Sequence, residues 1–229
     1  IISIANTLFS SGSLSGTKVL LTAGPTREPL DPIRYLSNYS SGKMGFALAE
    51  AARSAGAEVT LVTGPVSLLT PKYVVRHDIE TAQDMLEACV EQASLCDIFI
   101  CCAAVADYRP RRREPQKIKK NDATLNMEMM RNPDILSNIT AQFKQIFSVG
   151  FAAETTNLME NAQQKLLKKK LDLIVANDVS DPKIGFDSDH NEVLLLWANG
   201  NEKLEQASKA IISKQIINRL ALIYHENRS

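Results

Sequence analysis

From Lys18 onward, short apolar runs alternate with longer stretches of helical period, and this alternation limits the chain to few architectures. KVLLTAG (18–24), EVTLVTG (58–64), DIFICCAAV (97–105), IFSVGFAAET (146–155), LDLIVAND (171–178) and EVLLLWA (192–198) read as strands. Helical patterns lie at 42–57, 81–93, 132–143, 156–170 and 208–224. In the first, Met44, Leu48, Ala51, Ala52 and Ala55 share one side, and Gly56 suits the C-terminal cap. The second opens with a capping box, Thr81 to Asp84, ahead of Met85, Leu86, Cys89 and Val90. In the third, NPDILSNITAQF, the expected N-cap is Asn132, with Pro133 as the first helical residue. Strands joined through helices require crossover connections, so the fold class is α/β, a doubly wound, mainly parallel Rossmann-like sheet in a single domain. Residues 17–229 form that domain; residues 1–16, which end in Ser and Gly, read as a linker from a preceding domain, and the initial Ile fits a chain with something before it.

Bulk properties narrow the function. At 229 residues and zero formal net charge, the chain can bury a full core but carries no broad basic footprint, so neither nucleic acid nor an anionic membrane is an expected partner. There is no apolar run of transmembrane length and no secretory signal pattern. The four cysteines lack zinc or CxxC spacing; Cys101 and Cys102 read as reduced thiols in a core strand, and a cytoplasmic protein is expected. His77, His190 and His225 are scattered and make neither a metal cluster nor a triad.

Ligands of open α/β sheets bind beyond the carboxyl ends of the strands. Those ends carry TAGPTREPLDPIRYLSNYSSGK, AAVADYRP, GFAAET and ANDV, the least core-like residues of the chain. SNYSSGKMG (37–45) is not a P-loop, and G-x-G-x-x-G is absent; with no acidic residue in LVTGPVS after the second strand, a nicotinamide site is disfavoured. Ser40, Ser41 and Gly42 precede a helix, where free N–H groups and the helix dipole attract phosphate, although a serine there can equally serve as a cap. Lys117, Lys119 and Lys120 sit in a polar loop that reads either as solvated surface or as a lid; Lys165 and Lys169, four apart, share a helix face.

Taken in order and spacing, TAGPTREPLDPIRYLSNYSSGKMG, AAVADYRP, KIKK, NPDIL, GFAAET and ANDV resemble bacterial-type phosphopantothenoylcysteine synthetase over about residues 17–225. That domain is usually the C-terminal half of a bifunctional coenzyme A biosynthesis flavoprotein. The resemblance implies CTP-dependent ligation of 4′-phosphopantothenate and cysteine through an acyl-cytidylate, releasing pyrophosphate and CMP. It implies catalytic roles for Asn38, on the acyl carbonyl, and Lys117, on the α-phosphate. CTP-binding positions carried over are Asp107, Lys117, Asn132, Pro133, Asp134, Ile135, Phe151, Lys165 and Lys169, with Ser40, Ser41 and Gly42 serving the phosphates. Mg²⁺ is implied as a companion of the triphosphate, held mainly by its phosphates. A homodimer is implied, with lid loops and the phosphopantothenate site drawing on both subunits. FMN belongs to the decarboxylase half, which this sequence lacks. The loop NDATLN after KIKK is short, so the lid's length and mobility can differ from those of relatives.

Overall fold

A computed structural model describes residues 12–120, 123–154, 156–178 and 188–228. Residues 1–11 of the expected linker, residues 121 and 122 of NDATLN, Thr155 of GFAAET and Val179 of ANDV lie outside the described residues. An eight-stranded sheet runs through the domain, built from β1 (Lys18–Ala23), β4 (Glu58–Thr63), β5 (Val74–Asp78), β6 (Ile98–Cys101), β9 (Phe147–Glu154), β10 (Leu173–Asp178), β11 (His190–Trp197) and β12 (Gly200–Ser208). Two small ribbons, β2 (Arg27–Pro29) with β3 (Tyr35–Ser37) and β7 (Tyr108–Pro110) with β8 (Met129–Arg131), stand apart from it. The helices are α1 (Lys43–Ser54), α2 (Ala82–Ala93), α3 (Ile135–Gln142), α4 (Leu158–Lys169) and α5 (Lys209–Glu226).

Spatial order is β12-β11-β10-β9-β6-β1-β4-β5. The pairs from β5 to β10 are parallel, and β10–β11 and β11–β12 are antiparallel, so the expected mainly parallel sheet carries a meander on one side. The chain lays β4 and β5 on one side of β1, then crosses to β6 on the other, so the order reverses between β1 and β6. β1 and β6 are buried on both faces, as strands sandwiched between helices must be. α1 and α5 cover one face, packing Leu48, Ala52, Ile216 and Leu220 over Leu21, Leu61 and Ile98. α2, α3 and α4 cover the other, with Met85, Ile139 and Leu166 against Leu20, Phe99 and Ile174. Fully burying each of the Leu, Ile, Met and Phe side chains contributes about 1.5–3 kcal/mol, which accounts for the sheet's hold on its helices.

Several local expectations hold. α1 buries Leu48, Ala51 and Ala52, and Gly56 follows its C-cap at φ +96°. Thr81 and Asp84 form both bonds of the capping box. Others are corrected. Helix α3 begins at Ile135 with Asp134 as N-cap: its Oδ1 accepts from Ser137 N at 3.0 Å. Asn132 stands three residues ahead of the helix and is turned elsewhere, accepting from Arg109 at 2.8 Å and donating to Ala106 O at 2.7 Å. Neither Ser40 nor Ser41 is the N-cap of α1; that position is Gly42, at φ +79°. A Cβ there would meet Val66 Cγ1 at 2.9 Å, so glycine is required twice over. β6 stops at Cys101, and Cys101 and Cys102 are half-buried at the rim rather than in the core. β5, β12 and the ribbons were not expected as strands. Leu14 is fully buried, and its N–H reaches Ala55 O at 2.9 Å, so residues before position 17 pack on the domain.

Candidate active site

The carboxyl ends of β1, β6, β9 and β10 open on two adjoining cavities. One, of about 340 Å³, has Gly24, Ala104 and Ala153 at strand tips, Gly42–Gly45 at the start of α1, and Asn38, Lys165, Asn177 and Lys209 around it. The other, of about 550 Å³, is lined by Tyr108, the Asn132–Leu136 stretch and Lys169. Ala103, Val105, Asp107 and Phe151 line both, so they form a shared wall beside the β1/β6 switch point.

The sequence places these groups by fixing the loops. Gly45 brings α1 so near β1 that a Cβ would lie 2.5 Å from Ala23 Cβ, and the start of α1 is thereby held over the strand tips. Thr22 Oγ1 accepts from Ala103 N at 3.2 Å and Thr26 Oγ1 from Ala106 N at 3.0 Å, so two buried hydroxyls shape the loop after β6. Asn38 Nδ2 donates to Ala104 O at 2.9 Å. An amide nitrogen carries two N–H groups, so this bond orients Asn38 and leaves it a second donor. Ser40 Oγ accepts from Gly42 N at 3.3 Å.

Lys165 and Lys169 divide between the cavities, and each has a carboxylate partner: Lys165 pairs with Glu154, and Lys169 with Asp134 at 2.8 Å. Partial burial pushes the Asp134 carboxyl up, but the Lys169 ammonium and the Ser137 N–H together outweigh it and leave the group below its ordinary value. Burial pushes the Cys101 thiol up to about 11 and Cys102 higher still, so neither is a thiolate at neutral pH. Among the described residues, no group of three or more His, Cys, Asp or Glu could hold a metal ion.

The structure thus brings together Asn38, Ser40, Gly42, Asp107, Asn132, Pro133, Asp134, Ile135, Phe151, Lys165 and Lys169. Ser41 adjoins them in the turn without lining either cavity. Lys117 is elsewhere: it is exposed and lines a third cavity with Arg111, Gln116 and Met127. Asn191 and Lys209 line the first cavity and are missed by the sequence reading. Lys209, 7% exposed at the first position of α5, sits where the helix dipole disfavours a cation, and that conflict is the one signal that could have marked it.

Residues 14–223 match the family model of the DNA/pantothenate metabolism flavoprotein C-terminal domain. The "Coenzyme A biosynthesis bifunctional protein CoaBC" of Vibrio vulnificus is 48% identical over 223 residues, 96% of this chain and 56% of that protein. Its namesake from Bacillus subtilis is 43% identical over 216 residues, 93% of this chain and 53% of that protein. The chain therefore spans about half the length of these curated relatives. A crystal structure of a CoaBC C-terminal domain superposes with a TM-score of 0.80 at 38% identity, covering 94% of this chain and all of that one. Among the described residues, no helix is long and apolar enough to cross a membrane.

Proposed function

The chain belongs to the DNA/pantothenate metabolism flavoprotein C-terminal domain family, and from that premise we propose that it is a CTP-dependent phosphopantothenate–cysteine ligase of coenzyme A biosynthesis, acting in the cytoplasm. In the first step a carboxylate oxygen of 4′-phosphopantothenate bonds to the α-phosphorus of CTP as the bond to the bridging oxygen breaks, and pyrophosphate leaves. In the second the amine of cysteine attacks the acyl carbon, gives up a proton, and expels CMP. The observation that carries the reading is the pair of adjoining cavities with one wall in common: two compartments suit a nucleotide and an acyl group that must meet at one phosphorus.

Within it, the Asn132–Ile135 stretch, Phe151 and Lys169 hold the nucleotide, and Lys165 with the Ser40–Gly42 turn holds its phosphates. Lys169 is held ready by Asp134, and Lys165 by Glu154. The second N–H of Asn38 faces the acyl oxygen as negative charge develops there, a role worth about 10²–10³ in rate for a single donor. Asp107, on the shared wall, is the carboxylate suited to the ribose hydroxyls of the nucleotide; Mg²⁺, held mainly by the triphosphate, would neutralise phosphate charge.

Lys117, placed on the α-phosphate in the first step, lies outside both cavities, and the ribbon that holds its loop exposes Ile33 (60%), Tyr35 (48%) and Leu36 (41%). Both facts support a homodimer in which Lys117 serves the partner's site. Pyrophosphate release should require CTP, Mg²⁺ and 4′-phosphopantothenate, and sustained turnover should require cysteine. Asn38→Asp should release pyrophosphate yet form amide 10²–10³-fold more slowly, and Lys117→Gln should lose the first step. Co-refolding those two inactive variants should restore activity, because one composite site of each mixed dimer keeps both residues. Amide formation by Asn38→Asp at the normal rate would remove Asn38 from the mechanism, and no restoration on mixing would place Lys117 in its own protomer's site.

A further inference from the structure

The turn between β2 and β3 contains a carboxylate whose bonds exceed what the turn needs. The Asp31 side chain is fully buried. It accepts from Ile33 N at 2.9 Å and Arg34 N at 2.8 Å, and it pairs with the Arg34 guanidinium through Nε at 2.9 Å and through Nη2. Those bonds close the turn. A further donor comes from far along the chain, Ile118 N at 3.1 Å. Arg34 Nη2 in turn donates to Ile118 O at 2.9 Å, so the Asp31–Arg34 pair takes both backbone polar groups of Ile118. Glu114 N, donating to Leu30 O at 2.9 Å, adds a second tie between the same two segments.

The nitrogen of Ile118 belongs to the peptide that begins with the carbonyl of Lys117. Fixing that peptide fixes the base of the lysine side chain, while the side chain itself is exposed. On the other side of the turn, β3 leads into Ser37, whose hydroxyl donates to Thr26 O at 2.7 Å, and then to Asn38, tied to Ala104 O. A single buried carboxylate therefore ties the peptide of Lys117 to the β2–β3 turn. We infer that Asp31 is a positioning residue that braces Lys117 against that turn, so that the lysine is delivered to the partner's site by a braced peptide rather than by a free loop. Displacement of a reacting group by 1 Å can cost 10²-fold in rate, so a brace at this peptide bears on the first step directly.

The inference rests on the assignment of Lys117 to the first step, and the test separates the two. Asp31→Asn keeps the shape and removes the charge; Asp31→Glu keeps the charge and displaces it. In the whole chain, both should speed amide hydrogen exchange over residues 117–120 at least tenfold and slow single-turnover pyrophosphate release 10- to 100-fold. The KM for CTP should change less than threefold. A merely structural role would instead lower the unfolding midpoint and raise KM. Exchange and first-step rates within twofold of wild type, with Lys117→Gln inactive, overturn the positioning role alone. Undiminished release by Lys117→Gln overturns the lysine's assignment, and this inference with it, whatever the exchange data show.

Discussion

β1 and β2 lie four residues apart in sequence and are held by different physics. β1 is paired along both edges and buried along both faces. β2 is three residues long, pairs only with β3, and keeps its place through polar pegs. Glu28, 1% exposed, reaches out of β2 to accept from Ala82 N at 3.0 Å at the start of α2; Arg27 N donates to Glu80 O at 2.8 Å; and Arg27 lies 4.5 Å over the Tyr35 ring. The sheet is fastened by area removed from water, the ribbon by a few directed bonds that hold position while leaving apolar side chains outside. The candidate site is assembled where these two regimes meet, with strand tips as its floor and ribbon-borne Asn38 on its wall.

The contrast can be broken by substitution. Leu21→Ala, in the middle of β1 and fully buried, should cost about 2–5 kcal/mol in urea unfolding. Glu28→Ala, which leaves the Ala82 N–H without its buried acceptor, should cost about 1–3 kcal/mol. Its hydrogen exchange should rise over residues 27–37 and stay unchanged in β1. If it proves as damaging as Leu21→Ala and exchange rises in β1 as well, the ribbon is part of the core and the distinction fails. The smallest effect concerns Asp134, 47% exposed at the side chain. Its folded value is depressed, so its contribution is present above the unfolded carboxylate value, about 3.9, and is lost as pH falls through the lower folded value. Urea midpoints of wild type and Asp134→Asn should therefore differ slightly at neutral pH and converge in acid. A gap that widens on acidification would mean that the Lys169 pair opposes folding.

The same two regimes decide what sequence can reveal. KVLLTA and IFIC announce themselves because both faces demand apolar residues. β5, VVRHD, and β12, GNEKLEQAS, lie at the edges of the sheet and carry few buried residues, so their composition matches that of a loop. The ribbons are too short to show a period. At the site, the turn ahead of α1 is legible because Ser40, Ser41 and Gly42 stand directly between the end of a buried strand and a helical period, where ligands of such sheets bind. Asn132 and Asp134 are both good capping types, and sequence does not say which of the two faces the Ser137 N–H; in the fold it is Asp134. Lys209 and Asn191 reach the cavity from late in the chain, where no local pattern points back toward β1.

Under the candidate site lie Gly24 after β1, Ala103 and Ala104 in the loop after β6, and Ala152 and Ala153 near the end of β9. A floor of such residues offers a ligand main chain and methyl groups, and its shape depends on what is missing. Alanine scanning, the usual way of mapping a site, would pass over its four alanines without a signal. Informative changes here add atoms: a valine at Ala104 or Ala153 would narrow the chamber without removing a functional group. Selectivity for ligand size can therefore drift through single enlarging substitutions while every polar residue of the site stays the same.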